Sequence, residues 1–182
     1  QSLNHPFSVA ETEMDATQSW GNTTYGPKGL ELLKSGLTAE DTLDRLIADD
    51  SGSAQRRVGI ADPRRNIANY TGDKCLAWAG AVHGENYTAQ GNILAGEEVV
   101  KVIGNAFEET EGELPQKFIA PLIAGQEKGG DARGQQSAAL LVVRQGGGYS
   151  GFNDRYIDLR VDDHDGPIEE LQRLLKIQFT MR

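Results

Sequence analysis

The order of elements legible in the sequence, α-α-β-β-α-α-β-β-α, predicts an α+β fold in which antiparallel sheet is segregated from layers of helices. Two observations carry this. Strand-like segments occur as adjacent pairs joined by short turns or a glycine loop, and helical periodicity occurs as adjacent pairs between them. A parallel sheet would need a long crossover between successive strands instead.

The first helix is read over 27–35: Pro27 suits the first helical turn, Leu30, Leu32 and Leu33 give an apolar side, and Gly36 stops it. Thr38 then caps a second helix, with Asp41 three residues on and Leu43, Leu46 and Ile47 at helical spacing, until Asp49-Asp50-Ser51-Gly52 ends it. Strands follow over 57–61 and 66–70, joined by the turn Asp62-Pro63-Arg64-Arg65. Residues 71–91 are punctuated by glycine and less regular, with Trp78 and Tyr87 as packing anchors.

A clear amphipathic helix covers 97–110, with Val99, Val100, Val102, Ile103, Ala106 and Phe107 inward, and Glu97 and Glu98 suit its dipole. Another helix is read over 115–124, closed by Gly125. The apolar, β-branched run 137–144 predicts a strand covered on both faces, and 155–161 alternates as a half-buried strand after the glycine loop 145–151. These two strands are expected to be adjacent and antiparallel, in a sheet covered by another sheet. A last helix over 165–176 carries Ile168, Leu171, Leu174 and Leu175. No internal repeat or linker divides the chain, so 1–182 is read as a single domain.

Composition narrows the function. Among 182 residues, Lys plus Arg number 18 and Asp plus Glu 27, a net charge of -9, so a phosphate-backbone binder is not expected. The basic pairs Arg56-Arg57 and Arg64-Arg65 are read as solvated. The single Cys75 excludes an internal disulfide and a multi-cysteine zinc site, and is read as a small buried hydrophobe rather than a nucleophile. No segment approaches the apolar length of a membrane span, and the first residues lack the basic start and apolar run of a signal peptide. No membrane association is expected.

Polar chemistry concentrates in a few segments. In 129–137, three glycines flank Asp131 and Arg133, either as a ligand-facing loop in which Arg133 grips a carboxylate or as a turn braced by the pair. In 160–165, Arg160, Asp162, Asp163 and His164 follow a strand. Adjacent carboxylates and a histidine can hold a cation or tune a proton donor, but neighbouring strand residues point to opposite faces. Capping of the last helix with one buried Arg–Asp pair is the preferred reading, and no metal is expected. Thr17, Gln18 and Asn22 can hold a substrate carbonyl, as can donors around Gln90 and Asn92, although the latter also read as a plain turn. No P-loop, GxSxG, HExxH or dinucleotide fingerprint is present, and no cofactor is expected.

Five blocks recur in order between about Ala16 and Leu175: ATQSWGNTTYGPKGLELLKSGLTAEDTLDRLIADD, NYTGDKCLAWAG, QGNILAG, AGQEKGGDARGQQSAALLVV and DLRVDDHDGPIEELQRLL. Together they resemble the DUF1028 family, proteins of unknown function placed among the N-terminal-nucleophile (Ntn) hydrolases. The resemblance implies a four-layer αββα sandwich of two antiparallel sheets between helices. It also implies amide cleavage, in which the first residue of the mature chain attacks and its own α-amino group accepts the proton. A small-molecule amide is the expected substrate, with Thr17, Asp131 and Arg133 as catalytic candidates. Gln18, Asn22, Gln90, Asn92, Ser137, Arg160, Asp162, Asp163 and His164 are the binding candidates. A homo-oligomer is expected, and the compartment is open with the cytoplasm favoured.

The start of the chain departs from the family pattern. Only sixteen residues precede Thr17, holding at most a strand fragment over 6–10, so the opening hairpin is expected to be missing or much shortened. Gln1 has no nucleophilic atom. Ser2 would serve only if Gln1 were removed, and Thr17 only after a cut behind Ala16. The alternative expectation is a non-catalytic ligand-binding or assembly module on the same sandwich.

Overall fold

The computed structural model describes the backbone of residues 7–9 and 13–181, with side chains from Ser19 onward. Among the described residues it is a mixed α/β protein with small antiparallel sheets and five helices, and the chain divides into two compact units between Asn92 and Ile93. No helix among the described residues is long and apolar enough to cross a membrane.

In the first unit, β1 (Phe7–Val9), β2 (Glu13–Ser19), β3 (Arg56–Ala61) and β4 (Ile67–Thr71) form one antiparallel sheet in that order. An opening hairpin is therefore present, with β1 only three residues long. Helices α1 (Tyr25–Lys34) and α2 (Ala39–Ala48) lie between β2 and β3 in sequence. Thr38 caps α2, accepting from the Asp41 amide at 3.1 Å and donating to Asp41 Oδ2 at 2.7 Å. Buried Asp62 accepts from the amides of Ala39, Arg64 and Asn66, tying the β3–β4 turn to the start of α2.

Tyr25, Leu33, Ala39, Leu43, Leu46, Val58, Ile60 and Ala68 form the core of this unit. Val58 and Ile60 are wholly buried, and each contributes roughly 1.5–3 kcal/mol by leaving water. Because strand side chains alternate, Arg57 and Gly59 lie on the opposite face of β3. There the hairpin of β5 (Gly80–Gly84) and β6 (Tyr87–Gly91) covers them. Thr88 donates to Asn69 Oδ1 at 2.6 Å, and a Cβ at position 59 would meet Gln90, Asn69 and Thr88, so glycine lets the hairpin approach.

In the second unit, α3 (Glu97–Glu109) and α4 (Leu114–Glu127) precede β7 (Ala138–Val143), β8 (Arg155–Val161) and α5 (Pro167–Thr180). Strands β7 and β8 are adjacent and antiparallel, with Leu140 opposite Leu159. Ile119, Leu140, Val142, Ile157, Val161, Leu171 and Leu175 form the core. Within this unit, alternate residues of β7, Leu140 and Val142, are buried in the core. Helix α4 also runs past Gly125 rather than ending there. A Cβ at 125 would lie 2.6 Å from Ile103, so this glycine is a contact point between α3 and α4.

Candidate functional site

The densest polar network lies at the end of the first unit's sheet. After α2, the turn at 49–52 brings Asp50 back toward β3, and Asp50 Oδ1 accepts from the Gly52 amide at 2.7 Å. Its Oδ2 accepts from Arg56 Nε at 2.9 Å, Tyr25 Oη at 2.9 Å and Asn22 Nδ2 at 3.0 Å. Arg56 Nη1 also donates to the Trp20 carbonyl. The Arg56 guanidinium above all, then the Asn22, Gly52 and Tyr25 donors, hold the Asp50 carboxyl well below the usual carboxylate range despite its burial. Burial first, and the adjacent carboxylate second, push the Tyr25 phenol upward, so it stays a donor.

Asn22 is fixed from both ends of its amide. Its Oδ1 accepts from Thr24 N at 3.1 Å and Thr24 Oγ1 at 2.8 Å, while Nδ2 donates to Asp50. Asn22, Tyr25, Lys28, Arg45 and Asp50 help line a cavity of about 280 Å³. That volume suits a small ligand.

Arg57 is the neighbouring oddity. It is wholly buried, opposite Gln18 on β2 and Thr71 on β4, and its Nη2 donates to the Gly80 carbonyl. Its Nε and Nη1 are buried and have no acceptor among the described residues. Burial pushes its pKa down to about 10, opposed by the Cys75 sulfur. Cys75 is half-buried and donates its Sγ hydrogen to the Arg56 carbonyl at 3.4 Å. The basic pair 56–57 is therefore not solvated, contrary to the sequence reading: one member is paired with Asp50 and the other is enclosed.

The sequence-derived candidates fall into two sets, one in each unit. In the first, Asn22 joins the Asp50 network. Thr17 lies in register with Val58 and Gln18 with Arg57, and Ser2 lies outside the described residues. Gln90 lies within β6 against Gly59, not in a turn, and Asn92 follows half-buried.

In the second unit, backbone bonds from Ala95 to Gly130 and from Ala132 to Ile93 set the loop that carries Asp131. Asp131 grips Arg133 through two contacts, Nε to Oδ1 at 2.9 Å and Nη2 to Oδ2 at 2.6 Å, and Arg133 holds its carboxyl below the usual range. Exposed Ser137 leads into β7. Arg160 donates from Nε and Nη2 to Asp162 Oδ1, Gln136 donates to Asp163 at 3.2 Å, and the Gly166 amide donates to His164 Nδ1 at 2.9 Å.

Two expectations need correction here. The Arg160–Asp162 pair is exposed rather than buried, with side chains 44% and 64% accessible. No side chain caps α5, whose cap residue is Gly166. Among the described residues no group of three or more His, Cys, Asp or Glu could hold a metal.

Sequence reading missed Tyr25, Asp50, Arg56 and Arg57. The available signal was the run RRVGIA, where a strand buried at Val58 and Ile60 and narrowed by Gly59 encloses whatever stands at 57.

Comparison with known proteins agrees with the sequence blocks. The model of a "Family of unknown function (DUF1028)" matches residues 5–171. The crystal structure of a DUF1028 protein from Silicibacter pomeroyi is similar over 94% of this chain and 72% of its own, with 28% identity and a TM-score of 0.85. No curated protein matches. With the family model spanning most of its length, the chain belongs to the DUF1028 family.

Proposed function

We propose that this protein is an amidohydrolase of the Ntn type, on a four-layer αββα sandwich, acting on a small amide at the sheet end of the first unit. The observation that carries this reading is the orientation of Asn22. Its amide is held at both ends on the wall of a small cavity, and Nδ2 has a second hydrogen beyond the one given to Asp50. A fixed donor beside a small cavity is what stabilises the oxyanion of acyl transfer.

In this scheme a hydroxyl whose own α-amino group is free attacks the amide carbon. The amino group takes the hydroxyl proton and returns it to the leaving nitrogen as the C–N bond breaks, and water then hydrolyses the ester. Thr17 stays in the proposal as a site residue of the first unit, without the attack being assigned to it, and Asp131 and Arg133 stay as candidates of the second unit. A second reading, a binding module without catalysis, is favoured by Arg57, a buried cation whose need is an acceptor.

The test combines the intact mass of the purified chain with a panel of small amides. Asn22→Ala is expected to lower kcat/KM by roughly 10²–10³, as removal of an oxyanion donor does. Unchanged turnover would move the site elsewhere. Hydrolysis that survives both Ser2→Ala and Thr17→Ala in a chain still starting at Gln1 would exclude the terminal-nucleophile mechanism.

A further inference from the structure

We propose that Arg57 is the anchor of a binding site for a small monovalent carboxylate, enclosed between the first unit's sheet and the β5–β6 hairpin. The proposal does not depend on amide hydrolysis.

A guanidinium removed from water needs acceptors for its five N–H groups, and a buried charge without them is costly. Arg56, one residue away, is satisfied by Asp50 and the Trp20 carbonyl. Arg133, Arg155, Arg160 and Arg173 each pair with a carboxylate close in sequence. Arg57 is different: it is wholly buried, forms no ion pair among the described residues, and leaves Nε and Nη1 without acceptors. It remains a cation at neutral pH, because burial lowers its pKa only to about 10.

The packing around it limits the ligand. The Gly80 carbonyl takes Nη2, and Cys75 stands near on the connection from β4 to β5, where residues 75 and 78–80 are half-buried and Leu76 is 60% exposed. Entry through this connection displaces only partly buried groups. One cation in a low-dielectric setting is neutralised by one negative charge, and a dianion would leave a second charge buried and unpaired. A carboxylate supplies two acceptor oxygens and a single charge, and so takes either Nε or Nη1 together with the second hydrogen of Nη2, because Nε and Nη1 open on opposite sides of the guanidinium and do not share one carboxylate.

The experiment uses the full chain and sodium acetate, with sodium phosphate, sodium sulfate and sodium chloride at matched ionic strength. Without added acetate, Arg57→Met is expected to melt a few degrees above wild type, because the unpaired charge is gone. Acetate is expected to raise the wild-type melting temperature, by about 5–11 °C at roughly a hundredfold excess over Kd, and to leave Arg57→Met unmoved. The Arg57 Nε–H resonance is expected to shift along the same titration curve. Should Arg57→Met not fold, Arg57→Gln replaces it, and the resonance titration of the wild type decides by itself.

Equal acetate shifts in wild type and variant, or no movement of the Arg57 resonance, overturn the site. A larger effect of phosphate or sulfate than of acetate overturns the monovalent assignment.

Discussion

Asp50 accepts four hydrogen bonds, and a carboxylate so engaged ties stability to pH. Asp50 and Arg56 are 11% and 19% exposed, so removing the carboxylate strands a largely buried guanidinium. Asp50→Ala is expected to cost about 3–5 kcal/mol in urea unfolding. The folded-state pKa of Asp50 is depressed, so its stabilisation is fully present above the unfolded value of about 3.9 and is lost as pH falls through and below it. Asp50→Asn is therefore expected to show a shallower fall in melting temperature between about pH 5 and 2. Parallel curves for wild type and variant would remove Asp50 from the acid response. Arg133 and Arg160 behave differently, since their side chains are 64% and 44% accessible. Screening by water keeps Arg133→Ala and Arg160→Ala each within about 1 kcal/mol of wild type, a difference that chemical denaturation resolves. Asn22 was legible as a donor in the sequence because a polar loop ends there. Asp50 was not, because Asp49-Asp50-Ser51-Gly52 reads equally well as a plain helix stop, and only folding shows which carboxylate turns inward.

At the scale of elements, local chemistry carried most of the fold. Thr38 and Asp41 marked the start of α2, the Asp62–Arg65 turn joined β3 to β4, and the alternation of 155–161 gave β8 its limits. What local chemistry could not supply was set by packing. The β5–β6 hairpin turns at Glu85-Asn86 with Asn86 at φ 68°, and its glycine-rich strands lack the β-branched run that signals a strand. Gly125 shows the converse error, because a glycine in a helical pattern suggests an end unless a neighbouring helix needs the space. Its role gives a test. Alanine gains about 1 kcal/mol of helix propensity over glycine, while forcing a methyl against Ile103 costs typically 1–3 kcal/mol. Gly125→Ala is expected to destabilise by about 1 kcal/mol, and Ile103→Ala, which removes both side-chain carbons that the methyl would meet, to reduce that penalty in the double variant. A stabilised Gly125→Ala would show that α3 yields easily, and additive effects would show that the two positions are not coupled.

For the whole molecule, the net charge of -9 and the two separate apolar cores among the described residues are the governing facts. The first core is built from residues between Tyr25 and Ala68 and the second from residues between Ile119 and Leu175, with no residue in common. Neither core was visible as a division in the sequence, because the boundary at Asn92–Ile93 carries no proline-rich or low-complexity linker and falls inside the matched family blocks. Separate cores allow separate opening, since local stability follows buried apolar contact rather than chain continuity. Leu171 is wholly buried among Leu140, Val142, Ile157 and Val161 and their neighbours, so Leu171→Ala is expected to cost about 2–5 kcal/mol. Native-state hydrogen exchange of that variant is expected to show lost protection in β7, β8 and α5, with the amides of Val58 and Ile60 in β3 retaining theirs. Equal loss at Val58 and Ile60 would mean that the two cores open as one cooperative block, and that the stability of the Asp50 network is governed by the far half of the chain as much as by its own helices.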